Sequence, residues 1–187
     1  MDDRTLRISV LLAAHVIFLS AGALRILRGQ RNHRLRSDGN WFLQYYPPLV
    51  WVPFVFAYFY PVPVDLPMVV RLAGLAIAIA SALFAAWGMW SLGKSYGLRM
   101  DLFEGHRLVT AGPYRITRHP MYLGIVSFHV GATLAMESLA LLAITVLYVI
   151  PFTAMRIRAE EKVLAAGFGD EFRTFAGRVP AFVPFAR

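Results

Sequence analysis

Cysteine is absent from the 187 residues, which excludes disulfides, thiolate metal sites and covalent cysteine chemistry. Acidic residues are few, 11 against 19 Lys and Arg, and the formal charge is +8. Charged residues make up only 16% of the chain, against roughly 25% in soluble domains. Nucleotide-binding turns are missing as well: Gly93-Lys94-Ser95-Tyr96-Gly97 is neither a G-x-G-x-x-G turn nor a phosphate loop ending in Lys-Ser/Thr, so a Rossmann-type site is excluded. His106, His119 and His129 lack short ligand spacing and the acidic residues are scattered, so no metal is expected. Any chemistry has to come from His, Tyr, Arg and Glu.

What the chain does have is apolar sequence: 58% hydrophobic residues and a mean hydropathy of +0.55. Soluble proteins use roughly 45–50%, so the chain reads as an integral membrane protein. The basic residues sit between apolar runs, where Lys and Arg fix orientation and meet anionic lipid. Membrane lipids are therefore expected partners, and nucleic acid is not.

Leu6 to Leu27, interrupted only by His15 and Arg25, is long enough to cross a hydrocarbon core of roughly 30 Å. Arg4 and Arg7 before it and Ser20-Ala21-Gly22-Ala23 within it also fit a signal peptide. Asp2 and Asp3 offset that charge, and the basic segment that follows favours a retained span. Arg28 to Asn40 is expected to be a cytoplasmic loop. Trp41 to Tyr60 is expected as a second span, with Trp41, Tyr45 and Tyr46 at one interface, Tyr58 and Tyr60 at the other, and kinks at Pro47, Pro48 and Pro53 that suit the wall of a cavity. Pro61 to Pro67 is a stiff link. Met68 to about Trp90, filled with Gly74 and alanines, reads as a packing helix. Met121–Met136 and Ser138–Met155 form a tight hairpin joined at Glu137. Arg156 to Ala176 reads as an amphipathic cytoplasmic segment, helical to Gly167 and turning at Gly167-Phe168-Gly169.

The fold class expected is therefore all-α, a polytopic membrane protein of about five transmembrane helices. It forms a single domain over residues 1–187, with three spans in 1–90 and the chemistry in 91–187. Sixteen of the nineteen basic residues fall in Arg25–Arg36, Lys94–Arg118 and Arg156–Arg187, and five spans place all three segments on one side. That side is the cytoplasm, and the N-terminus lies outside.

The chemistry concentrates where polar sequence runs into an apolar helix, Arg118-His119-Pro120-Met121-Tyr122-Leu123-Gly124. Pro120 suits a first helical turn, and Arg118, His119 and the free N–H groups behind Pro120 would meet at the positive end of the helix. Physics alone leaves an anion site and a basic membrane anchor both open. Arg156 and Glu160, four residues apart on one helix face, return to the same side with Glu161. His15 and His129 lie inside apolar spans and read as hydrogen-bonded core residues.

These residues carry a resemblance. Leu108-Val109-Thr110-x-Gly112-x-Tyr114, Arg118-His119-Pro120-x-Tyr122-x-Gly124, Arg156 with Glu160-Glu161, Phe168-Gly169-Asp170-Glu171-Phe172, and Arg178-Val179-Pro180 with Pro184-Phe185 resemble the isoprenylcysteine carboxyl methyltransferase family. The phospholipid methyltransferases share its core. The resemblance covers about the last 80 residues; the first 90 match only as apolar spans. It implies S-adenosylmethionine as methyl donor and an acceptor that is a lipophilic small molecule or lipidated substrate, reached from the lipid side. By position, His106, Arg107, Leu108, Val109, Tyr114, His119, Pro120, Met121, Tyr122 and Glu160 would contact the cofactor. Arg156 would hold the acceptor, and with Glu160 would make up the catalytic pair. His106 and Arg107 match the family less well. The function expected is methyl transfer to a lipophilic carboxylate, with amino-lipid N-methylation and thiol S-methylation as alternatives on the same fold. A sterol-type membrane reductase and a non-catalytic lipid-binding protein are the rivals of other classes.

Overall fold

The computed structural model describes residues 3–28, 34–37, 51–60, 62–95, 101–103 and 105–182. Its frame is helical: α1 (Asp3–Arg28), α2 (Trp51–Phe59), α3 (Met68–Leu92), α4 (Pro120–Met136), α5 (Leu139–Phe168) and α6 (Asp170–Arg178). Among the described residues α1, α3 and α5 are long and apolar enough to cross a membrane, and α4 is a shorter apolar helix of 17 residues. The chain is a multi-pass integral membrane protein. The aromatic residues expected at the start of the second span, Trp41, Tyr45 and Tyr46, and its prolines Pro47 and Pro48 lie outside the described residues.

The pair α3 and α4 is the centre of the bundle, and its chemistry is the absence of side chains. A Cβ built on Gly74 would stand 2.6 Å from the backbone of Gly131 and Ala135, one on Gly131 2.6 Å from Ala78 N, and one on Gly124 2.6 Å from Ala85 Cβ. Backbones therefore touch at three levels, which gives dispersion contact where lipid supplies no hydrophobic drive between helices. α3 turns Ala78, Ser81, Ala82, Ala85, Ala86 and Gly88 to this seam. Leu72, Leu83, Trp87 and Trp90 stay exposed, as lipid-facing and interfacial residues do.

α2 was expected to line a cavity. Its described part instead packs aromatic on aromatic, with Trp51, Phe54 and Tyr58 buried around His15 of α1 and Phe128 and His129 of α4. Pro53 is the third of the described residues of this helix. Both histidines give Nδ1 to the carbonyl one turn back, Leu11 for His15 and Ile125 for His129, each at 2.7 Å. They are core residues, as expected.

The hairpin turns at Glu137, which takes a left-handed conformation (φ 53°) rare outside glycine. Ser138 caps α5 by accepting from Leu141 N. The 62–66 link lies against this turn, with Val64 N donating to Glu137 O at 2.8 Å and Leu139 N to Val62 O at 2.8 Å. Glu137 then gathers donors from three elements: Arg7 of α1 at 2.9 Å, Arg71 of α3 at 3.3 Å and the N–H of Leu66 at 3.0 Å.

α5 has a wide π turn at Thr145–Val149, continues through Arg156, and ends at Phe168, one residue past the expected Gly167, where Gly169 (φ 53°) caps it. Among the described residues, the charged loops expected as plain connections pair as a short ribbon. Strand β1 (Arg34–Ser37) pairs antiparallel with β2 (Asp101–Phe103). The ribbon is held from below: Leu102 is buried and fills the space over Gly167, where a Cβ would come within 2.1 Å of its Cδ1.

Candidate active site

The approach to α4 is fixed backbone first. The Ser95 hydroxyl accepts from Arg107 N at 3.2 Å and donates to its carbonyl at 3.3 Å, and the Arg107 side chain itself is exposed. Gly112 (φ 62°) turns the chain where a Cβ would crowd Ser91 Oγ at 3.1 Å. Tyr114 follows, buried with Phe172 and Phe175 of α6 and flanked by Leu108 and Val109. Thr117 is fully buried and donates to Ala181 O at 3.0 Å, while its oxygen accepts from His119 N at 3.3 Å.

Arg118 corrects an expectation. At the start of α4 it was expected beside His119 in an anion site or a basic membrane anchor, and its guanidinium instead meets the same Glu161 carboxylate as His119 and reaches on to the end of α6. It donates to Ala176 O at 2.9 Å and Val179 O at 2.6 Å, and pairs with Glu161 Oε1 at 2.7 Å, while its own N–H reaches Pro180 O at 2.9 Å. The last carbonyls of a helix carry negative partial charge and lack intrahelical donors, so the end of α6 competes successfully for this cation. Arg118 is a clasp that holds α6 and the 179–181 segment against the start of α4.

His119 is 4% exposed, and its Nε2 lies 3.1 Å from the same Glu161 Oε1. Burial pushes the Glu161 carboxyl up, but hydrogen bonds from His119 and Arg118 outweigh it and hold the group below the usual carboxylate range. Pro120 packs its ring on Gly88 of α3, and Met121 joins Ala21, Ala86 and Met89. Their side chains thus face the bundle, and what Met121 offers at the site is its first-turn N–H.

Tyr122 begins the inner site. Its hydroxyl donates to Glu160 Oε2 at 2.7 Å and accepts from Arg156 Nε, and the Arg156 guanidinium carbon lies 5.7 Å from the Tyr122 ring. Arg156 is 3% exposed. Glu160 is half-buried, and among the described residues no donor reaches its Oε1. His106 stands over this set with its ring 5.8 Å from that of Phe168; burial lowers its pKa, and nearby Glu160 partly opposes the shift. The structure thus brings His106, His119, Tyr122, Arg156 and Glu160 to one end of the bundle. Leu108, Val109 and Tyr114 lie in the wall shared with α6, and Arg107 contributes backbone. Sequence reasoning missed Thr117 and the clasp role of Arg118; Arg118 opens the second motif and Thr117 directly precedes it, but the partners that give them meaning are backbone carbonyls some sixty residues away.

Fold and site together define a polytopic helical membrane protein in which a cluster of polar and charged residues sits where the apolar bundle meets its charged end. The family model for the isoprenylcysteine carboxyl methyltransferase (ICMT) family matches residues 73–166, and the chain belongs to this family. It is 34% identical over 115 residues to protein-S-isoprenylcysteine O-methyltransferase B of Arabidopsis thaliana, covering 60% of this chain and 58% of the relative. It is 29% identical over 128 residues to methanethiol S-methyltransferase 1 of Bradyrhizobium diazoefficiens, covering 60% and 44%. The matches thus span less than two thirds of the relatives' length. Among solved structures, that of a eukaryotic intramembrane Ras methyltransferase, ICMT, superposes with a TM-score of 0.58 at 22% identity, covering 81% of this chain and 54% of that one, which supports the fold.

Proposed function

We propose that the protein transfers a methyl group from S-adenosylmethionine to the carboxylate of a lipophilic acceptor, an isoprenylcysteine or a similar lipidated group. The observation that carries this is the buried Arg156–Tyr122–Glu160 set at the mouth of an apolar bundle. The residues present fit the cofactor. Glu160 Oε1 is an open acceptor for an amino or ribose donor, the first-turn N–H groups of α4 suit a carboxylate, and Leu108 and Val109 give an apolar wall. When bound, S-adenosylmethionine supplies a methyl group on a positively charged sulfur, so the transfer is a displacement that needs no metal.

A carboxylate is already ionised at neutral pH, so no residue has to remove its proton. Arg156 binds and orients it, its planar fork being suited to two carboxylate oxygens. The same buried cation repels an ammonium, which ranks amino lipids below carboxylates as acceptors. The apolar helices keep water from the reacting groups and leave lipid-side access for a hydrocarbon tail. The excess of basic residues at this end of the bundle supports a cytoplasmic active site with the N-terminus outside.

The test is calorimetric titration of S-adenosylhomocysteine into detergent-purified protein, followed by turnover of radiolabelled donor on a prenylated cysteine carrying a free carboxylate. Micromolar binding weakened by Glu160→Ala, with turnover lost in Arg156→Ala, is the expected result. Folded protein that ignores S-adenosylhomocysteine but is stabilised by NADPH would replace this reading with the reductase.

A further inference from the structure

A single hydroxyl stands between the acceptor residue and the cofactor residue. Arg156 and Glu160 share one face of α5, a turn apart, and yet they are joined through a phenol of the neighbouring helix: Arg156 Nε–H donates to the Tyr122 oxygen, and the Tyr122 O–H donates to Glu160 Oε2 at 2.7 Å. Tyr122 is 4% exposed and Arg156 3%, with Glu160 half-buried at the end, so the first link lies out of water, where successive hydrogen bonds polarise and orient one another. It is also directional, from a cation through a neutral donor–acceptor to an anion. Tyr122 sits in the first turn of α4, directly behind the Pro120 that Gly88 seats against α3, so the phenol is anchored while the two α5 side chains lean on it.

We infer that the Tyr122 hydroxyl couples the acceptor subsite to the cofactor subsite: it is a positioning residue through which the setting of Arg156 determines how Glu160 is presented to the cofactor. The inference rests on the methyl-transfer reading above. Its consequence is that a substitution at Arg156, which holds the acceptor, changes affinity for the cofactor, and does so only when the hydroxyl is present. No bond is made or broken in the coupling. Glu160 keeps one oxygen on the phenol and turns the other to the ligand. If Tyr122 only filled space, the ring alone would suffice, and effects at Arg156 and Tyr122 on cofactor binding would be independent.

The experiment is a double-mutant cycle read by calorimetry with S-adenosylhomocysteine on the full chain in detergent, comparing wild type, Tyr122→Phe, Arg156→Met and the double variant. Thermal unfolding is followed in parallel to confirm that each is folded. Arg156→Met is expected to weaken binding about tenfold in the presence of Tyr122 and about twofold or less in its absence, a non-additivity of the size seen for residues in one network. Arg156→Lys keeps the charge without the Nε donor and should behave as Arg156→Met. It also serves in the cycle if the methionine variant does not fold. Additive effects, or wild-type affinity in Tyr122→Phe, overturn the coupling. Absence of binding to folded wild-type protein overturns the methyl-transfer reading instead, so the two failures are distinct.

Discussion

Helix α4 carries a buried ionic network at each end, and the two differ in what they leave undone. At its C-terminal end Glu137 is closed: Leu66 N and Arg71 reach Oε1, Arg7 and Arg71 reach Oε2, and Arg7 donates in addition to Ala135 O. Every donor comes from a different rigid part of the chain, and nothing remains to be bound. At its N-terminal end Glu160 uses one oxygen on Tyr122, and among the described residues the other meets no donor. A carboxylate with all its lone pairs spoken for ties elements together, whereas one left half-satisfied invites a ligand.

That contrast can be broken at either end. The largest expected effect is on turnover: Arg156→Ala and Glu160→Ala should each lower methyl transfer by about a hundredfold or more, as loss of a charged group acting in the transition state does, while the melting profile changes little. Wild-type rates in both would favour a lipid-binding protein with no catalytic site here. At the other end the effects exchange places. Glu137→Ala leaves the buried Arg7 with Asp3 at 3.0 Å as its remaining carboxylate and removes the tie to Arg71 and Leu66, so it should cost about 1–2 kcal/mol, read as a lowered denaturation midpoint in detergent, with S-adenosylhomocysteine affinity unchanged in the folded fraction.

Acid sharpens the comparison. Burial raises the Glu137 pKa, but Leu66 N–H, Arg7 and Arg71 overcome it and hold the group below its ordinary value of 4.5. Glu161 is depressed in the same sense. A depressed carboxylate stabilises the fold fully above its unfolded pKa, and that contribution is lost as pH falls through the folded value. Stability should thus be flat at neutral pH and fall below about pH 4.5, with Glu137→Gln showing a shallower acid decline in thermal scans. The smallest effect belongs to the apolar middle. His129 has Nε2 buried without a partner in the described residues, so His129→Leu, which removes that polar atom, should leave the melting temperature unchanged or slightly raised.

Much of this was legible in the chain. The apolar spans and the polar break at Glu137 follow from transfer energetics that act locally, so the hairpin falls where the sequence puts it. The pairing of Arg156 with Glu160 was visible as spacing, but Tyr122 as the atom between them was not, because a cross-helix contact leaves no local trace. Arg118 was aimed at the wrong partner for the same reason: a cation beside a helix start reads as an anion site unless the carbonyl end of α6 is known to be nearer. The β1–β2 ribbon escaped because four residues against three carry too little alternation to register, and because its anchor is the missing side chain of Gly167.

The wide turn at Thr145–Val149 has one more consequence. In it Ile150 N bonds back to Thr145 O, five residues away, so one extra residue is accommodated without breaking the helix. Each residue turns an α-helix by about 100°. The phase of the apolar half is set by the hairpin and the lipid, and the phase of the charged half by Tyr122; the π turn is the joint at which the two are brought into register. Deleting one residue between Val146 and Tyr148 would leave an unbroken span of the same composition with Arg156 and Glu160 rotated off Tyr122, a protein that still inserts and folds but has its reactive face pointing at the wrong neighbour.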